Sequence, residues 1–210
     1  MARVRRLSPG PALPQTWRIG ANHTLTQTST ISQGSDRYRY DPANPTPNLG
    51  GAIFAFTGAG SVDQAPLESR DDVLTYTSAV LTREITLIGQ AEVTLRARTS
   101  LPHADFFVRL SDVGVDGVSR NICDGFVRLD PASHREPGGT WRVTIPLHAT
   151  AHSFRPGHRL RLLVASGAHP RYARNLGTDE PINTATTMQG NDVEVFHDGV
   201  VLTLATYDLA

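Results

Sequence analysis

Residues 154–166 decide the fold, and they read FRPGHRLRLLVAS. The Pro156–Gly157 pair marks a turn, because proline fixes φ and glycine accepts a positive φ. After this turn apolar and basic side chains alternate, with Leu160, Leu162 and Val164 set against Arg159 and Arg161. Alternation with a period of two predicts a β-strand that is buried on one face and solvated on the other.

The same period recurs along most of the chain and predicts an all-β fold. Alternating segments occupy residues 91–98, 106–111, 118–129, 141–147, 193–197 and 200–207. We expect the Asp116–Gly117 and Asp198–Gly199 pairs to close hairpins between neighbouring strands. About seven to nine short strands without a long helical stripe indicate a β-sandwich. Residues 30–51 and 166–191 are predicted to be long irregular loops.

The predicted core consists of the apolar positions that recur at every second residue of these strands. They are Val93, Leu95, Phe106, Val108, Leu110, Trp141, Val143, Ile145, Leu160, Leu162 and Val164. Side chains two residues apart on a strand lie on the same face, so each set should pack inward together. Arg161 falls on the opposite face and is expected to be solvated.

Four stretches, in order along the chain, carry a resemblance to a known family. They are YDPANPTPNLGG at 40–51, QAPLESRDDVL at 64–74, residues 105–117, and 154–166 followed by Pro170-Arg171 and Asn175. Together they resemble the C-terminal domain of the cocaine esterase / X-prolyl dipeptidyl-peptidase family of serine hydrolases. The resemblance implies a non-catalytic jelly-roll β-sandwich of galactose-binding-like type.

The resemblance begins near Trp17, which suggests a division of the chain. Residues 1–16 contain three arginines and three prolines but no apolar period, and we expect them to be disordered or a linker remnant. No apolar run follows these arginines, so a signal peptide is not expected. Residues 17–210 would then form the jelly-roll domain.

Composition narrows the function classes. Twenty basic and twenty acidic residues leave no net charge, which argues against nucleic-acid or membrane partners. The single cysteine, Cys123, cannot form an internal disulfide and fits a reducing compartment, so we expect a cytoplasmic location.

The motif that a serine hydrolase of this family needs is missing from the chain. The nucleophile elbow G-x-S-x-G does not occur, and the nearest strings, Gly58-Ala59-Gly60-Ser61 and Gly34-Ser35, are not framed by a strand and a helix. The resemblance places the whole Ser-His-Asp triad in a preceding α/β-hydrolase domain. We therefore assign no catalytic residue here, and we expect the chain to be inactive alone although its parent would be a hydrolase.

Other chemistry-bearing residues have ordinary structural explanations, and we assign no metal or cofactor site. His148 and His152 have the spacing of helical metal ligands, but they adjoin a strand. Asp112, Asp116 and Gly117 resemble a calcium loop without its distal glutamate, and a hairpin explains them better. Cys123 is expected to be a buried apolar residue. The remaining candidates are Arg96, Arg98 and Arg109, on neighbouring predicted strands. They could form a basic stripe, but a solvated sheet face with ion pairs is the favoured interpretation.

The resemblance implies a partner. The sandwich would pack on an α/β-hydrolase catalytic domain, in cis or as a separate chain, and help wall its active site; a homodimer is left open. Removal from that partner would expose an apolar surface, for which the candidates are Phe54, Phe56, Tyr172, Leu176, Ile182 and Met188. The alternative is a stand-alone carbohydrate- or ligand-binding jelly-roll module, which the fold alone does not exclude.

Overall fold

A computed structural model describes residues 12–28, 30–54, 58–133 and 135–207. The strands in this part of the chain are β1 (Leu13–Gly20), β2 (Thr24–Thr26), β3 (Ser35–Tyr40), β4 (Val73–Ser78), β5 (Ile85–Gly89), β6 (Glu92–Thr99), β7 (Ala104–Val113), β8 (Ser119–Leu129), β9 (Trp141–Pro146), β10 (Thr150–Phe154), β11 (Arg159–Ala165), β12 (Asn191–Phe196) and β13 (Val201–Tyr207). One short helix, α1, spans Ala65–Glu68. The all-β prediction is confirmed.

The strands form a sandwich with one apolar core between its layers. In one layer β4, β11, β7 and β8 are antiparallel neighbours, and β2 joins β4 in parallel. In the other layer β3, β12, β6 and β9 are neighbours. Strand β13 pairs with β6, and it pairs with β1 and β5 as well. The predicted inward positions are all in the main core, fully buried except for Val143, which is partly buried against it. The prediction of these positions is confirmed.

The two predicted hairpins have different outcomes. The Asp116–Gly117 turn does connect β7 with β8, and Gly114 N–H donates to the Val118 carbonyl at 3.0 Å. The prediction of a hairpin at Asp198–Gly199 is wrong. Strands β12 and β13 do not pair with each other but follow one another along the same edge of β6. A 3-10 turn, His197–Gly199, joins them. It crosses β6 so closely that a Cβ at Gly199 would lie 2.1 Å from Cβ of Arg96.

The outer face of the β4–β11–β7–β8 layer is also buried, which the alternation did not predict. Leu163 and Phe107 pack there in a second apolar cluster with Leu67 of α1 and with Ala168 and Tyr172 of the 166–191 loop. Arg161, expected to be solvated, is only 24% exposed, and its Nη1 lies 2.5 Å from Oε2 of Glu68 in α1. The cause is the chain between β3 and β4, which folds back over this face.

The predicted loop at 30–51 is partly wrong, because β3 lies within it. The remainder, residues 41–51, packs against the predicted loop at 166–191. Asn48 N–H donates to the His169 carbonyl at 2.7 Å, and His169 N–H donates to the Thr46 carbonyl at 2.9 Å. Thr46 is itself buried and donates to Asp72 at 2.7 Å. These contacts hold both loops over the outer face of the sheet.

The first strand starts before the expected domain boundary. β1 begins at Leu13, and residues 13–18 pair with β13, so residues 13–16 belong to the sandwich and not to a tail. The remainder of the expected tail, residues 1–11, lies outside the described residues. In the part of the chain that the structure describes, no helix is long and apolar enough to cross a membrane.

Candidate functional site

A buried ionic cluster lies beneath the two long loops, on the outer face of β7 and β8. Arg109 on β7 and Asp124 on β8 are direct cross-strand partners, and their Nη2 and Oδ2 atoms are 2.9 Å apart. Arg171, from the 166–191 loop, donates from Nη1 to both oxygens of Asp124 at 2.8 and 3.0 Å. Arg109 also donates to the Leu49 carbonyl and to Oε1 of Gln64. The cluster thus ties three separate segments of the chain together.

Positive charge is in excess in this cluster. Two guanidinium groups share the carboxylate of Asp124, and His148 Nδ1 lies 3.3 Å from its Oδ1. Burial lowers the pKa of Arg109 and Asp124 opposes that shift, while Arg171 reinforces it by repulsion. Arginine nevertheless stays protonated in proteins, so both guanidinium groups are charged. Among the described residues, Arg109 Nε is buried without a hydrogen-bond acceptor.

A glycine pair lets the backbone pass directly over this cluster. Gly51 has φ 86°, and a Cβ there would lie 3.1 Å from Oδ2 of Asp124 and 3.2 Å from Nη1 of Arg171. Gly51 and Gly60 are paired by two backbone hydrogen bonds of 2.7 and 2.9 Å. Phe54, three residues beyond Gly51, is fully exposed.

Histidine–carboxylate pairs occur, but they do not make a triad. Five of the histidines that the structure describes contact an Asp, and the pairs are His103–Asp179, His148–Asp124, His152–Asp112, His158–Asp112 and His197–Asp36. Within the described residues no serine or cysteine side chain is hydrogen-bonded to any of these rings. A hydrolytic triad requires that nucleophile–base contact.

His148 and His152, which have metal-ligand spacing, contact different carboxylates. Across the described ranges no group of three or more His, Cys, Asp or Glu side chains is placed to hold a metal ion. Asp112 accepts from His152 at 2.9 Å and from His158 at 2.8 Å, and Asp116 pairs with Arg120 at 3.1 Å. The two carboxylates of the calcium-like string therefore have separate partners.

Of the two interpretations of Arg96, Arg98 and Arg109, the basic stripe does not form. Arg96 and Arg98 lie on β6, where they pair with Asp198 and Glu194 at 2.9 and 3.4 Å. Arg109 lies in the opposite layer and is fully buried. The favoured interpretation, an ion-paired sheet face, describes Arg96 and Arg98, while Arg109 belongs to the ionic cluster.

The six candidate apolar interface residues divide into separate groups. Phe54, Ile182 and Met188 are exposed. Tyr172 stacks on Phe126 with ring centroids 4.1 Å apart, and Leu176 is partly buried. Phe56 lies outside the described residues. Sequence reasoning missed the ionic cluster, although Gly50, Gly51 and Arg171 stand inside stretches that carried the family resemblance.

Known proteins match this architecture. A family model described as the X-Pro dipeptidyl-peptidase C-terminal non-catalytic domain matches residues 3–198. The chain therefore belongs to this family of non-catalytic C-terminal domains.

Among its relatives, a cocaine esterase from Rhodococcus sp. (strain MB1 Bresler) is 38% identical, with 76% of this chain and 30% of the esterase covered. An aminopeptidase structure from a marine sediment Thaumarchaeota archaeon superposes with a TM-score of 0.82 at 25% identity, over 93% of this chain and 37% of the other. An α-amino acid ester hydrolase has the same fold, with a TM-score of 0.79 at 24% identity over 91% and 36%. The chain thus spans between 30% and 37% of the length of these three proteins.

Proposed function

We propose that this chain serves as the C-terminal β-sandwich of a serine hydrolase that cleaves an ester or amide acyl bond. It packs on an α/β-hydrolase catalytic domain, either in the same polypeptide or as a separate chain, and helps wall the active site. The family match over residues 3–198, in a chain that covers 30% of a cocaine esterase, is the observation that carries this proposal.

The geometry supports a scaffolding role. The sandwich holds its long loops by buried hydrogen bonds and by the Arg109–Asp124–Arg171 cluster, so the loops can present a fixed surface to a neighbouring domain. The only cysteine is buried, and we propose a cytoplasmic location on the strength of that disulfide-free composition. Self-association into a homodimer stays a prediction, which sedimentation velocity of the chain alone tests.

The first test is hydrolysis by the purified chain. We expect no turnover of p-nitrophenyl acetate, p-nitrophenyl butyrate or an X-Pro anilide above a serum-albumin control. Turnover that exceeds this control and is blocked by a serine-directed phosphonate would show that the chain carries its own nucleophile, contrary to the proposal.

The second test is association with a catalytic domain. The chain is mixed with the purified α/β-hydrolase domain encoded with it, and complex formation is followed by sedimentation. We expect a one-to-one complex and a higher melting temperature of the catalytic domain, since a ligand that binds only the folded state stabilises it. Absence of a complex at high micromolar concentrations would contradict the proposed partnership.

No observation favours the carbohydrate-binding module. Sugar sites present exposed aromatic rings, and among the large apolar side chains that the structure shows as exposed within its described ranges, Phe54 is the one aromatic. In the groove of about 470 Å³ beside Arg37, Arg98 and Asp192, the charged side chains are ion-paired and the aromatic residue, Tyr38, is buried.

A further inference from the structure

We infer that this chain binds its catalytic α/β-hydrolase domain through the surface formed by Ile53, Phe54, His148 and Arg171, here termed the Phe54 face. The catalytic domain supplies an apolar recess for Phe54 and a carboxylate for Arg171. This inference rests on the proposed function, and it identifies the surface and the chemistry of the contact.

The first support is an apolar anchor on a fixed base. Phe54 has a relative exposure of 105%, so nothing in the described residues covers its ring. The backbone that presents Phe54 is held by the paired Gly51–Gly60 hydrogen bonds and by Asn121. The Asn121 side chain donates to the Gly60 carbonyl at 3.0 Å and accepts from Val62 N–H at 2.9 Å. Aromatic side chains, phenylalanine included, are enriched at protein interfaces relative to the rest of the surface.

The second support is an arginine close to that anchor, Arg171, which has hydrogen-bond donors to spare. Arg171 gives one nitrogen, Nη1, to Asp124, and the described residues offer no acceptor to its Nη2 or Nε. Asp124 is also occupied by Arg109 and contacted by His148. Arg109 and Arg171 together carry one positive charge more than Asp124 neutralises, and a carboxylate brought by a partner would accept from Nη2 and Nε of Arg171 with bidentate geometry.

The two features are near enough to meet one partner surface. A Cβ at Gly51 would lie 3.2 Å from Nη1 of Arg171, and Phe54 follows three residues later. Three residues span at most about 11 Å, so one contact patch can cover both side chains. His148 is more than half exposed and lies beside the same carboxylate.

Charge and chain length together select the partner. The outer face of the β3–β12–β6–β9 layer also carries many charges, but they are paired internally, as in Arg37–Glu194 and Arg39–Asp192. The Phe54 face instead combines an exposed aromatic ring with Arg171, whose Nη2 and Nε have no acceptor among the described residues. The 38% identical cocaine esterase continues over the 70% of its length that this chain does not cover, and that remainder is where the complementary carboxylate would reside.

The test compares binding of variants to the purified catalytic domain. Phe54→Ser should raise the dissociation constant by about tenfold or more, as loss of a central aromatic contact does. The matched control is Val115→Ser, at an 80% exposed apolar residue in the β7–β8 turn, and its affinity should equal that of the wild type. Arg171→Gln should weaken binding, and Arg171→Lys, which keeps the charge, should weaken it less.

The outcomes separate the inference from the proposed function. If the wild-type chain does not bind the catalytic domain, both are overturned. If it binds and Phe54→Ser binds equally well, or Arg171→Gln and Arg171→Lys lose equal affinity, only the inference is overturned. A photo-cross-linking amino acid at position 54 gives a readout that does not depend on variant stability. It should link to the catalytic domain, and linkage to a second copy of this chain would overturn the inference.

Discussion

At the scale of single residues, the molecule is distinguished by a carboxylate that serves two arginines. Asp124 is 3% exposed, and it is the only carboxylate among the described residues that pairs with Arg109 or Arg171. Buried ion pairs contribute little net stability, but removing one partner leaves an uncompensated charge that is costly. The cluster should therefore be sensitive to loss of its anion.

Asp124→Asn tests this sensitivity. It leaves two buried guanidinium groups without a counter-charge, and we expect the free energy of unfolding to fall by about 3–5 kcal/mol. Asp192→Asn is the control, because its pair with Arg39 is mostly solvent-exposed and should contribute about 0–1 kcal/mol. Urea denaturation measures both, and equal costs would show that the cluster is not held by Asp124.

Cys123 offers a second prediction at this scale. Burial, together with the neighbouring Asp124 carboxylate, raises the pKa of the Cys123 thiol to about 12. Because the thiolate is the reactive form, Ellman's reagent should leave the native chain unmodified at mildly alkaline pH. The same chain should react completely in urea. Rapid labelling of the native chain would mean that β8 opens readily.

At the scale of elements, β11 is buried on both faces, and this decides how the molecule is layered. Leu160, Leu162 and Val164 face the main core, while Leu163 and Ala165 face the second cluster beneath α1. A sheet with one solvated face would leave the latter pair in water. The loops between β3 and β4 and after β11 cover them, so the sandwich has a third, thin layer.

Paired alanine substitutions test the two-faced burial. Leu162→Ala and Leu163→Ala should each lower the free energy of unfolding by about 2–5 kcal/mol, as losses of buried leucine side chains do. Val115→Ala, at an exposed position, should cost less than about 0.5 kcal/mol. A small cost at Leu163 beside a large cost at Leu162 would mean that the loop layer contributes little to stability.

At the scale of the whole molecule, polar contacts tie distant strands together across the sandwich. Asp36 on β3 accepts from Tyr76 on β4 at 2.9 Å and contacts His197, in the turn between β12 and β13, at 2.8 Å. Asp112 on β7 accepts from His152 on β10 and from His158 in the turn before β11. The Asp36–Tyr76 and Asp112–His152 contacts link strands that are not hydrogen-bonded neighbours, so the loss of either contact should lower the stability of the whole molecule.

The Asp112 contacts predict a pH dependence of global stability. Burial alone would raise the pKa of the Asp112 carboxyl, but the hydrogen bonds from His152 and His158 outweigh it and lower the pKa. A lowered folded-state pKa gives stability above the unfolded value of about 3.9, and this stability is lost as the pH falls through the folded value. The Asp112→Asn variant should therefore be less stable than the wild type at about pH 6, and this difference in the free energy of unfolding should be smaller at about pH 3.

Urea unfolding at both pH values measures this effect. Asp116→Asn serves as the control, because Arg120 lowers the pKa of Asp116 too, but that pair is solvent-exposed and screened. A pH-independent difference between Asp112→Asn and the wild type would mean that Asp112 acts only through packing.

The sequence by itself determined the all-β class, the inward faces of the alternating strands and the family, but it placed β3 in a loop and did not predict β5 or β10. Alternation of apolar and polar residues depends only on which face of a strand is buried, so it can be read from a short segment. The family could be recognised because its motifs, such as the Pro156–Gly157 turn and the proline-rich 41–51 loop, are short continuous stretches. The sequence did not determine which strands pair, as the missing hairpin at Asp198–Gly199 shows. Nor did it show that the outer face of β11 is covered, since the covering residues lie far away along the chain.

Only the tertiary structure decided the ionic cluster. Counting outward from the β7–β8 turn, where Val113 faces Ser119, would place Cys123 opposite Arg109. A register shift between Leu110 and Ser111 adds one residue to β8 and brings Asp124 there instead. Arg171 reaches the same carboxylate from 47 residues away. The positions of bulges and the packing of loops depend on contacts between residues far apart in the chain. The period-two alternation of a single strand contains no information about those contacts.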